Sequence, residues 1–202
     1  MPPLSAVIDL ANQLDVLRVI KGKLLRQPDA AAERLVIVLE ELSKIYTAIE
    51  SELVEYLSLY FDNDSAQAER AVLLRLEGGE ISSRASAASG HCHKIKNIYD
   101  RFLDPWFQKV LSRGEIDNVR KLFELLGDFD RSVVVDLDVV ARWLTQEATA
   151  TLNLVNAKKY DYANDRICAA RKEVLPVRQA ITNAIIELRK LQAEFIGSTG
   201  VI

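Results

Sequence analysis

Apolar residues recur along this chain at alternating intervals of three and four, the spacing that lines one face of an α-helix. The longest unbroken case is Leu35, Leu39, Leu42, Tyr46, Ile49, Leu53, Tyr56 and Tyr60. With Asp29 as N-cap, it predicts a helix over 30–61, roughly 50 Å long at about 1.5 Å per residue. A second stripe, from Ile81 through Ala88, Cys92, Ile95 and Tyr99 to Phe102, follows the breaker Gly78–Gly79 and predicts a helix over 80–103. Asp104 and Pro105 should end it, because proline disfavours a helical residue before it. Pro105 can then open a short helix over 105–112, capped by Asp104.

Another short helix is expected over 115–126, between Gly114 and Gly127. The run from Ser132 to Val140 alternates in part like a strand. However, Val133, Leu137, Val140, Leu144, Ala148, Leu152 and Val155 extend a helical pattern well beyond strand length, so 131–157 is read as helix. The last stripe runs from Ile167 through Val174, Val177, Ile181 and Leu188 to Phe195 and stays in phase across Pro176. It predicts a kinked but continuous helix over 161–196. Shorter helices are expected over 5–25 and 65–77. The whole reads as one all-α domain over 1–202, an antiparallel bundle of about four long helices with short flanking helices. Residues 1–28 hold an N-terminal amphipathic helix, and 197–202 form a frayed tail.

Composition agrees with this. Hydrophobic residues make up 49% of the chain, too many for disorder, and 8 Gly and 5 Pro are few for an all-β fold. The net charge of −3 provides no basic excess for nucleic acid. No stretch reaches the roughly 18 consecutive apolar residues of a membrane span, and the N-terminus lacks a basic start followed by an apolar run. Cys92 and Cys168 lie far apart and make no disulfide framework, which points to a reducing, cytoplasmic setting.

Candidate chemistry is sparse. Neither a phosphate-binding glycine loop nor a nucleophile elbow occurs. His91, Cys92 and His93 suggest a metal site, but residues two apart on a helix diverge, so no metal and no cofactor is expected. Arg84 and His91 lie seven residues apart on one helix face. Their spacing resembles the Arg-x(4–6)-His motif of HEPN ribonucleases, helical bundles that pair two such motifs by dimerising. The resemblance implies an arginine that holds a scissile phosphate and a histidine that acts as general acid or base. The other reading of both residues is a solvated helix flank. Arg18, Lys21, Lys23 and Arg26 make the first helix basic along one side, suited to an anionic surface or to its own helix dipole. Lys94, Lys96 and Arg101 form a smaller cluster, interrupted by Asp100 and Asp104. The carboxylate pairs Glu40–Glu41 and Asp136–Asp138 are expected on solvated faces.

The leading expectation is a non-enzymatic bundle that mediates protein–protein interaction as an adaptor, regulator or assembly subunit. A HEPN-like ribonuclease and a peripheral membrane-binding bundle are the alternatives. Tyrosine is awkward in a dry core, so Tyr56 and Tyr60, with Leu57 and Phe61, are expected to overhang the core and meet a second copy in a homodimer. The helix over 65–77 could instead fold back over them. Trp106 and Phe107, just after a proline break, are candidate exposed anchors.

Overall fold

Breakers divide the chain close to where the sequence places them, whereas the cap expected at Asp29 lies outside the described residues and Asp104 is the first residue of its helix rather than the cap. The structure is a computed structural model that describes residues 4–24, 30–127 and 131–199. In place of one N-terminal helix there are two, α1 (Ser5–Gln13) and α2 (Asp15–Leu24), separated at the buried Leu14. Then come α3 (Ala30–Leu57), α4 (Ala66–Glu77) and α5 (Glu80–Ile98). A π-helical turn (Tyr99–Leu103) joins α5 to α6 (Asp104–Val110), and α7 (Arg113–Glu124), α8 (Val133–Asn156) and α9 (Tyr160–Thr199) complete the order. There is no strand among the described residues, so the valine run belongs to α8, whose N-cap Ser132 accepts from the Val135 N–H. α3 packs against α5 and α9, α5 against α8, and α8 against α4 and α9. One hydrophobic cluster runs from Leu4 to Phe195.

The first helix has no side-chain cap of its own and borrows one. Asp136 of α8 accepts the Val7 N–H at 2.9 Å, and the Tyr46 hydroxyl donates to the Val7 carbonyl at 2.9 Å. Asp136 is therefore buried while Asp138 is exposed, which corrects the expectation that both lie on a solvated face. Burial pushes the Asp136 carboxyl up, against the pull of the Val7 and Ala6 N–H groups.

α3 stops at Leu57, short of the expected 61. Beyond it the chain is not helical, and burial alternates, with Leu59 and Phe61 buried and Tyr60 and Asp62 outward, a two-residue period. α9 takes up the polar groups of this segment. Arg171 donates to the carbonyls of Leu57 at 2.6 Å and Leu59 at 3.3 Å, satisfying the end of α3. The Asn164 side chain accepts the Phe61 N–H at 2.9 Å and donates to the Phe61 carbonyl at 2.8 Å, as a neighbouring strand would.

Pro105 shapes the next junction. A proline within a helix offers no N–H and crowds the carbonyl four residues back. Here the helix widens instead of ending: the Asp104 N–H bonds to the Tyr99 carbonyl, five residues back. The Tyr99 ring stacks on Phe123 of α7, with centroids 4.1 Å apart. At Pro176, by contrast, α9 continues unbroken, with Val174 and Ile181 buried on its inner side and the proline itself exposed, as the in-phase stripe predicts.

The turn from α8 to α9 is closed by two crossed hydrogen bonds, from the Lys158 N–H to the Val155 carbonyl and from the Lys159 N–H to the Leu154 carbonyl, each 2.9 Å. This cap needs a left-handed residue, and Lys158 fills it at φ 56°. Lys158→Gly should raise stability by about 0.5–1 kcal/mol in urea unfolding, the strain relieved less the extra freedom of the unfolded chain. Asn164→Ala should cost about 1–3 kcal/mol, because it strands the Phe61 peptide groups. A loss below a few tenths would show that water replaces the amide.

Candidate functional site

α5 lies against α3 with two polar clusters between them. In the first, Arg84 Nη1 meets Glu52 Oε1 at 3.2 Å and Glu55 Oε2 at 3.1 Å, and the guanidinium also pairs with Glu80. Arg75 of α4 pairs with Glu55 and, at 2.9 Å, with Glu80. Glu52 is buried and its Oε2 has no partner among the described residues. Burial pushes this carboxyl up, with Arg84 pulling the other way.

The second cluster centres on Glu41, which is buried although its neighbour Glu40 is exposed, again unlike the solvated pair expected. Its Oε1 accepts from Lys44 at 2.8 Å and Lys94 at 2.9 Å, and its Oε2 meets His91 Nδ1 at 2.5 Å. Burial pushes the Glu41 carboxyl up, but the hydrogen bonds from Lys44, Lys94 and His91 outweigh it and hold the carboxyl at about 2.

Arg84 and His91 thus grip carboxylates eleven or more positions apart on α3, roughly 16 Å along the helix. The structure does not bring them to a common point, and Arg84 is already matched by three carboxylates. Cys92 is buried, His93 is exposed, and no group of three metal-ligating side chains occurs among the described residues.

Above the Glu41 cluster lies an open groove of about 660 Å³ between α3 and the α5–π-turn segment. Ile37 and Ile98 contribute aliphatic surface to its lining. Lys44 and Lys94 stand at one end, both on Glu41. At the other end Arg34 stacks on the exposed Phe102 ring, 3.7 Å from its centroid, and Arg101 lies beside it. Neither arginine pairs with a carboxylate among the described residues, whereas the neighbouring Lys96 is taken by Asp100 at 2.5 Å. The sequence shows the Lys94–Arg101 cluster but not Arg34 and Lys44, which reach the groove from another helix.

The other expected site residues divide between the core and the surface. Tyr56, Leu57, Phe61 and Phe107 are buried, so the stretch from Tyr56 does not overhang the core. The Tyr56 hydroxyl lies 2.9 Å from Thr151 Oγ1 of α8, and its ring meets Trp143 edge-on. Burial pushes this phenol up to about 12, past the counter-pull of Thr151. The partners on α8 remove the reason for placing the ring at an interface. Tyr60 remains exposed, and Trp106 is half-buried against Phe107. On α2, Leu17 and Ile20 are buried, and the cations meet acids of this same chain: Arg18 with Glu187, Lys21 with Glu194 at 2.6 Å, and Lys23 with Glu115 at 2.6 Å. The apolar face offered to a membrane is therefore occupied. Arg26 lies outside the described residues. No described helix is long and apolar enough to cross a membrane. No family model, curated protein or solved structure matches the chain.

The Glu41 cluster makes stability depend on pH. A carboxyl held at about 2 in the fold, against an ordinary 4.5, contributes stability above pH 4.5 that is lost as pH falls toward 2. With allowance for screening at the half-exposed lysines, that contribution is about 2 kcal/mol. Urea unfolding of Glu41→Gln should show this loss at neutral pH and a flatter profile below pH 4.5. An unchanged acid limb would assign it to other carboxylates.

Proposed function

We propose that this chain is a non-enzymatic helical module for protein–protein interaction, working in the reducing cytoplasm, and that it docks its partner in the groove between α3 and α5. In this reading α3, α5, α8 and α9 form an antiparallel bundle that holds the two groove walls rigid. The observation that carries it is the arginine end of the groove. An exposed aromatic ring there, Phe102, is flanked by Arg34 and Arg101, which no carboxylate among the described residues neutralises. Exposed aromatic and arginine side chains on a rigid concave surface are what protein interfaces are enriched in. The commitment of Arg84 to Glu52, Glu55 and Glu80 weighs against a nuclease, because those carboxylates would repel the phosphate the arginine is meant to hold.

A photoreactive benzoylphenylalanine at Asn97, on the groove wall, tests this in the native host. The expected result is a discrete protein adduct, out-competed by excess unlabelled chain and missing when the probe sits at the exposed Leu175 of α9. An adduct of twice the chain's mass would identify the partner as a second copy. No adduct, or equal labelling at both positions, would refute docking in the groove.

A further inference from the structure

The shape and charge of the groove narrow the class of partner. We propose that its occupant is an acidic amphipathic helix of about three turns; this deepens the interaction reading and rests on it. The α3 wall runs from Arg34 to Lys44, ten residues and so roughly 15 Å, which is the length of about three helical turns. The facing wall runs from Gly90 to Phe102. Gly90 keeps that wall low, since a Cβ placed there would meet nothing within 4 Å. A trough between two helices, with Ile37, Ile98 and Phe102 in its lining, suits the apolar stripe of a third helix.

Charge selects the sign of that helix. At the lysine end, the buried Glu41 is already bonded to Lys44, Lys94 and His91. At the other end Arg34 and Arg101 pair with no carboxylate among the described residues, and Arg34 is held in place over Phe102. An occupant that places Glu or Asp beside an aliphatic residue there pairs with both guanidiniums and covers the ring in one step. Nucleic acid fits less well. The chain carries a net charge of −3 and so lacks the basic excess that draws in a long phosphate backbone, whereas the two arginines at one end of the groove match the few carboxylates of a short helix.

The full-length chain is titrated by fluorescence anisotropy against a labelled synthetic helix, with leucines at i, i+3, i+4 and i+7 and glutamates between them. The same helix with glutamine for glutamate and a single-stranded oligouridylate serve as comparisons. The glutamate helix is expected to bind, to weaken as salt is raised, and to bind at least about tenfold more tightly than the other two. Arg34→Glu/Arg101→Glu should remove that preference while leaving the melting temperature and the helical circular dichroism unchanged; if this variant unfolds, Arg34→Gln/Arg101→Gln replaces it. Tighter binding of the oligouridylate, equal binding of the two peptides, or a preference that survives the arginine substitutions would overturn the proposal. If the Asn97 adduct still forms in any of those cases, the interaction reading stands and only the acidic occupant falls. If it does not, both fall.

Discussion

α3 carries polar groups into the interior along its whole length, and each must be met by another element or cost the full penalty of an unpaired buried group. Glu41 is met by α5 through His91 and Lys94, and Tyr46 by the Val7 carbonyl of α1. Lower down, Glu52 is met by Arg84, Tyr56 by Thr151 of α8, and the terminal carbonyls by Arg171 of α9. Apolar stripes slide past one another at little cost, but these pairings do not. They set the register of α1, α5, α8 and α9 against one helix, and the Asp136 cap on α1 then ties α8 to the same frame.

The same requirement leaves the groove with its uneven charge. Glu41 can accept only so many donors, and it takes Lys44, Lys94 and His91 at one end of the α3–α5 contact. At the other end α3 offers no buried carboxylate, so Arg34 turns to the face of Phe102. The π-helical turn belongs to this arrangement. By widening at Tyr99 to accommodate Pro105, the chain continues from α5 into α6 and carries Arg101 and Phe102 along the groove wall.

Several residues show where a one-dimensional reading loses the structure. Tyr56 lies on the α3 stripe, and its hydroxyl makes it look like a rim residue until Thr151, ninety-five positions away, supplies a partner. Glu41 and Asp136 look like solvated halves of acidic pairs because, apart from Lys44 one turn on from Glu41, their donors come from α5 and from the backbone of α1. The cations of α2 look available because the acids that bind them are on α7 and α9. Within the groove, Lys94 and Arg101 stand out in sequence, whereas Arg34 and Lys44 read as ordinary surface positions of a long helix.

What the sequence by itself determined is local: the helical class, the break at Gly78–Gly79, and the continuity of the last helix through Pro176. These follow from apolar periodicity and backbone chemistry, which act over a few residues and are written in consecutive letters. Where each polar side chain finds its partner was decided only by the tertiary structure, since such pairings link residues tens to more than a hundred positions apart. The end of α3 shows the division. The first breakers after Leu57 are Asp62, Asn63 and Asp64, yet the helix stops at Leu57, where Arg171 and Asn164 of α9 satisfy the backbone of a non-helical segment that buries Leu59 and Phe61.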